Sequence, residues 1–104
     1  MSEIVDPHNC TTMTEVRAGV DDVDRQVVAL LALRFGYMDA AARIKPDRAS
    51  VRDEWRKADV LAKVDAAAAA TAAGLDCVMV ARLYEDLIET SIAHELRKFD
   101  EARA

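Results

Sequence analysis

Arg34 and Lys45 stand eleven residues apart in a stretch that is otherwise largely apolar, VVALLALRFGYMDAAARIK. At about 3.6 residues per turn, eleven residues return to nearly the same helix face, about 16 Å further on. Two cations on one apolar face are costly unless something anionic meets them. Arginine binds carboxylate through paired hydrogen bonds, so such a face is suited to capturing a small dicarboxylate. Arg17 lies about 25 Å before Arg34 and roughly 100° around the same helix. Arg17 and Arg34 cannot grip one small ligand within a single copy, but an antiparallel partner would bring its own Arg17 back. Near the other end of the chain, Ser91 and Glu95 form an i,i+4 pair between Leu87 and Phe99, close to an inward face.

The cations also cluster. Around the first turn between helices, Arg43, Lys45, Arg48, Arg52, Arg56 and Lys57 outnumber Asp47, Asp53 and Glu54. Buried cations beside a buried polar pair point to a pocket for a small dianion. Blander explanations exist for each feature. A seam arginine is more often a structural ion-pair partner or a snorkelling side chain. A cation cluster is more often a solvated turn, and a residue placed like Glu95 is more often a surface group. His8 is expected in a tail and His94 at the surface. The sequence holds no nucleophile–base motif, phosphate loop, dinucleotide fingerprint or metal-ligand spacing.

Helices must position these groups. Residues 1–11 read as a flexible arm broken by Asp6-Pro7. Thr12 and Glu15 form a T-x-x-E capping box that opens the first helix. Val16, Val20, Val23, Val27, Leu30, Arg34, Tyr37, Ala41 and Ile44 then follow a 4-3 spacing along one face. Pro46 should stop this helix near Lys45. Its length would be about 45–50 Å, whereas a compact domain of this size has a radius of gyration of about 13 Å. The rest of the chain cannot wrap it. A second helix is expected from Ser50 as cap to Gly74 as stop, through the alanine-rich LAKVDAAAAATAAG. Asp76 should cap a third, with Val80, Leu83, Leu87, Ile88, Ile92, Leu96 and Phe99 as its apolar set and DEARA as a frayed tail. The expected architecture is all-α: three helices in a single domain over residues 12–104. A second copy covers the first helix, giving an interwound homodimer.

Composition agrees with this outline. The chain has 104 residues, 52% of them hydrophobic, with few aromatics, three Gly and two Pro. Such a balance favours helix over sheet and suits one small domain. A net charge of -5 argues against a general nucleic-acid partner. Cys10 and Cys77 are far apart and read as reduced thiols, a disulfide being the lesser option. The first dozen residues are polar, unlike a signal peptide, and no apolar run is long enough to cross a membrane. A cytoplasmic protein without membrane, metal or cofactor is the expectation.

Four pieces in order, EVRAGVDDVDRQVVALLALRFGYMDAAARIK, VRDEWRKADVL, GLD and LIETSIAHEL, carry a resemblance. Over residues 9–99 the chain is similar to the all-helical chorismate mutase family, which includes the isochorismate pyruvate-lyases of salicylate biosynthesis. The resemblance implies a three-helix, interwound homodimer with two shared sites and no cofactor. It implies that Arg17 comes from the partner chain to hold a carboxylate and that Arg34 pairs with a carboxylate. Lys45 would contact the ether oxygen and a carboxylate. Arg56 would hold a carboxylate, Asp53 would lie near the ring hydroxyl, and Ser91 near a carboxylate. Glu95 would donate to the ether oxygen, with Lys45, Glu95 and Arg34 as the catalytic set.

Conversion of chorismate to prephenate is a pericyclic rearrangement that needs no nucleophile, metal or proton transfer. Holding the folded conformer and stabilising charge on the breaking C–O bond suffice. Many members carry Gln at the position of Glu95. An ionised carboxylate there would repel the developing negative oxygen, so Glu95 must carry a proton to donate. That predicts activity improving toward acidic pH. Lys57 stands where some mutases place a Glu that contacts the substrate hydroxyl. NCTTMTEVR looks more like the lyase branch, whereas VRDEWR and IETS look more like the mutase branch. Chorismate, isochorismate and an amino analogue of chorismate all remain open as substrates, as does a non-catalytic helical dimerisation module.

Overall fold

The structure, a computed structural model, describes residues 4–72 and 74–104. Residues 1–3 of the expected arm and Ala73 of the alanine-rich stretch lie outside the described residues. Among the described residues there are three α-helices: α1 (Met13–Ile44), α2 (Glu54–Ala69) and α3 (Cys77–Ala102). Short 3₁₀ turns occur at Pro7–Asn9 and Arg48–Ser50, and no strand occurs among the described residues. No helix among them is long and apolar enough to cross a membrane. The chain divides into two compact units, one ending at Gly36 and one formed by Tyr37–Ala104.

In the first unit, the start of α1 forms the expected capping box. Glu15 N donates to Thr12 Oγ1 at 3.2 Å and Thr12 N donates to Glu15 Oε1 at 3.1 Å, so two orphan amides are satisfied reciprocally. Thr11 adds a backbone and a hydroxyl bond to the same oxygen. These bonds, Thr11's first, hold the Glu15 carboxyl below its ordinary range. Asp6 caps the turn at Pro7–Asn9, accepting from His8 N at 3.1 Å. Ile4, Val5, Pro7 and Cys10 face Val16, Val20 and Val23 across an apolar cleft of about 340 Å³. The apolar stripe along α1 is little covered. Val16, Val20, Val23, Val27 and Leu30 are 37–64% exposed, and Tyr37 and Ile44, which fall in the second unit, are 66% and 77% exposed.

In the second unit, Ala42, Val51 and Phe99 form the buried centre, with Ile92 and Leu96 packed against it. α2 packs on α3, and Ile88 and Ala68 are buried with them. Leu83, expected on the apolar face of α3, is instead exposed.

The second helix differs from expectation at both ends. Ser50 does not cap it. The Ser50 backbone N and Oγ donate to Asp47 Oδ1 at 2.9 and 2.6 Å, which closes the Arg48–Ser50 turn. The cap is Asp53, whose Oδ1 accepts from Arg56 N at 3.0 Å. A carboxylate suits the positive end of a helix, and this one sits three residues before an orphan amide. At the other end, α2 stops at Ala69 rather than running to Gly74. Thr71 explains this, because its Oγ1 donates to Ala68 O at 2.8 Å and its N bonds the same carbonyl at 3.2 Å. Such local bonds compete with helix continuation. Gly74 serves the turn beyond, with a φ of 62° that favours glycine.

Asp76 caps α3 as expected, accepting from Val78 N at 2.9 Å and Met79 N at 3.4 Å. The tail is not frayed. α3 continues through Ala102, and Arg103 bonds back to the end of α1. Both cysteines are free.

Candidate active site

The end of α1 delivers Lys45 and the middle of α3 delivers Glu95. Lys45 Nζ donates to Glu95 Oε2 at 2.7 Å and to Val51 O at 3.2 Å. The Glu95 side chain is 6% exposed and that of Lys45 28%. Ser91 lies one turn before Glu95 and is also buried. Its Oγ donates to Leu87 O at 2.6 Å, back along the helix. The i,i+4 spacing thus places a hydroxyl and a carboxylate inward, and a lysine from another helix meets the carboxylate. The common alternative of a surface Glu95 does not hold.

Asp53 and Arg56, for which the resemblance implies pocket-lining roles, hold local partners. The Asp53 carboxylate caps α2. The Arg56 guanidinium, which is exposed, donates to Asp59 Oδ2 at 2.5 Å. Arg17 and Arg34 belong to the first unit, where Arg17 is exposed and Arg34 half-buried.

The cation cluster after Arg43 is largely an ion-pair lattice between α2, α3 and the preceding turn. Arg48 meets Asp100 at 3.0 Å, and Arg52 meets Glu54 at 3.0 Å and Glu89 at 2.6 Å. Lys57 meets Glu85 at 2.6 Å and Glu89 at 3.0 Å. Arg52 and then Lys57 pull the Glu89 carboxyl down to about 2. Glu85 and then Glu89 raise the Lys57 ammonium above its ordinary value.

His94 is part-buried rather than at the surface. Its Nε2 lies 2.7 Å from Asp39 Oδ1, and Arg97 Nη2 lies 3.3 Å from its Nδ1. Asp39 and His94 are 55 residues apart, and no local pattern announces the pair. Among the described residues, no group of three or more His, Cys, Asp or Glu is placed to hold a metal ion.

Residues 16–96 match the family described as Chorismate mutase type II. The chain belongs to this family. The matched span of the chorismate mutase type II family contains every residue for which a site role was expected, from Arg17 to Glu95. The chain is also 30% identical over 97 residues to the isochorismate pyruvate lyase of Pseudomonas aeruginosa, an alignment covering 93% of this chain and 94% of the relative.

Proposed function

We propose that this chain is a cofactor-free chorismate mutase that rearranges chorismate to prephenate. The observation that carries the reading is the buried Glu95 carboxyl, 2.7 Å from the Lys45 ammonium and one turn from a buried serine. Burying a charged pair in a small helical core costs desolvation that the mutual attraction often does not offset, so the pair is a poor choice for stability alone. In the proposed site, Arg34 pairs with one substrate carboxylate and Arg17 of a second copy with another. Lys45 turns from Glu95 toward the ether oxygen, and Glu95, carrying a proton, donates to the same oxygen. The ether C–O bond breaks as the new C–C bond forms, and the two donors stabilise the charge that develops on oxygen. Arg56, Asp53 and Ser91 are assigned to the carboxylates and the ring hydroxyl. For Arg56 this requires exchange of Asp59 for substrate.

The homodimer belongs to the same proposal. The exposed stripe of α1 is the surface a second copy would cover, and Arg17 and Arg34 need that copy to meet. A second reading is isochorismate pyruvate-lyase, in which the site folds isochorismate for a related elimination to salicylate and pyruvate. The relative from Pseudomonas aeruginosa favours it.

The test offers chorismate and isochorismate separately to the purified protein at pH 5 and pH 7.5 and identifies the products. Prephenate as the main product, formed faster at pH 5, supports the mutase reading. Salicylate from isochorismate at higher efficiency replaces it with the lyase. Neither product would leave the amino analogue or a non-catalytic dimerisation module.

A further inference from the structure

The last turn of α1 has a donor problem that its own chain neighbours cannot solve. Helix ends leave carbonyls without intrahelical partners. Lys45 N still donates to Ala41 O at 2.9 Å. The next donor in line, for Ala42 O, would be the amide of residue 46, and that residue is Pro46, which has no N–H. Ala42 is 1% exposed, so water is a poor substitute.

Arg103, beyond the end of α3, supplies what is missing. Its Nη1 donates to Ala42 O at 3.0 Å and its Nη2 to Lys45 O at 2.9 Å. Nη1 also lies 3.4 Å from Phe99 O, and the guanidinium sits 3.6 Å from the centroid of the buried Phe99 ring. One rigid fork therefore bridges a carbonyl in the last turn of α1 and the carbonyl of Lys45 just beyond it while stacked on the core, and its charge favours a helix C-terminus. Lys45 is held at both ends: Arg103 takes its carbonyl, and Glu95 and Val51 O take its ammonium.

We infer that Arg103 is a positioning residue for Lys45, setting the backbone from which the lysine reaches Glu95 and the substrate. This rests on the catalytic roles proposed above for Lys45 and Glu95. Arg103 meets the proposed site at the backbone carbonyl of Lys45, and it lies outside the matched span 16–96.

The experiment compares Arg103→Ala and Arg103→Lys with Arg48→Ala. Arg48 also ties the inter-helix turn to the end of α3, through Asp100, without bonding Lys45. Activity per folded molecule is measured on the productive acid. The Cε resonance of Lys45, assigned with Lys45→Arg, is followed by NMR in ¹³C-lysine-labelled protein.

Misplacing a catalytic group by about 1 Å costs up to about 100-fold, so Arg103→Ala should lower kcat about 10- to 100-fold with a smaller change in KM. Its Lys45 resonance should move toward that of an exposed lysine. Arg103→Lys keeps the charge without the fork and should recover part of kcat. Arg48→Ala should change neither kcat nor the resonance. An Arg103→Ala protein with wild-type kcat, or with an unmoved Lys45 resonance, overturns the inference. If the wild type turns over neither acid, the proposed function falls, and the Lys45 resonance alone decides the role of Arg103.

Discussion

At the scale of single residues, Glu95 carries the sharpest consequence. Its Oε2 accepts from an ammonium at 2.7 Å, a role open to the carboxylate. Donation to an ether oxygen requires the protonated form, because an ionised carboxylate has no donor. The mutase reading therefore expects wild-type kcat to rise from pH 8 toward pH 5. Glu95→Gln donates at every pH and should give a flat profile over the same range. A flat wild-type rate, left unchanged by Glu95→Gln, would remove the protonated Glu95. Arg34 gives a second residue-scale prediction. Arg34 is assigned to hold a substrate carboxylate, and misplacing a reactant by about 1 Å costs up to about 100-fold in rate, so Arg34→Ala should lose activity to about that extent. It should keep its helical circular dichroism and its melting temperature. A variant that loses dimer stability without any activity to lose would mark Arg34 as structural. Both residues stand out in the sequence, because a charge that falls in phase on an apolar stripe is a local anomaly. Arg103 does not, because its bonds to Ala42 and Lys45 span 61 and 58 residues. The His94 pairing with Asp39 was hidden for the same reason.

At the scale of elements, the helix starts were read correctly where one local cap has no competing acceptor beside it. The Thr12–Glu15 box and the Asp76 cap each close within three residues, and both formed as their spacing implies. The start of α2 was ambiguous because three acceptors compete within seven residues. Asp47 uses Ser50 as a donor, leaving Asp53 to cap. The cation cluster was legible as a cluster, but its anions lie on α3, out of sequence range. Those anions make a stability prediction. Arg52 and Lys57 hold Glu89 at about 2, below its ordinary 4.5. A carboxyl whose folded value is depressed stabilises the fold fully above its unfolded value, and that contribution disappears as pH falls through the folded one. The packing of α2 on α3 should therefore weaken between about pH 4.5 and 2. Glu89→Gln should unfold more easily than wild type at pH 7, with the gap closing below about pH 3. Added salt should narrow the gap at pH 7, since the pairs are half exposed. Urea melts at both pH values check this, and a gap independent of pH would reassign Glu89 to a role other than charge.

At the scale of the whole molecule, the length of α1 was the most telling quantity in the sequence. A helix of 32 residues spans about 48 Å, and its apolar stripe stays largely open to solvent in one copy. A face of that kind calls for a partner. The proposed partner is a second copy, which also brings its Arg17 to Arg34. Shared sites make a prediction that a merely dimeric scaffold does not. Arg17→Ala and Arg34→Ala homodimers should each be inactive, because every site lacks one arginine. Unfolded together and refolded at equal amounts, half of the dimers are mixed. In each mixed dimer, one site receives Arg17 from the Arg34→Ala chain and Arg34 from the Arg17→Ala chain. That site is complete and its twin lacks both. The mixture should therefore recover about a quarter of the wild-type specific activity, as random pairing of two-fold dimers requires. Sedimentation should report dimers throughout. Recovery near zero, with mixed dimers confirmed by mass, would mean that Arg17 and Arg34 do not meet across the interface, and an active Arg17→Ala homodimer would take Arg17 out of the chemistry. A monomer by sedimentation would leave the α1 stripe to another partner and the two arginines unable to act together.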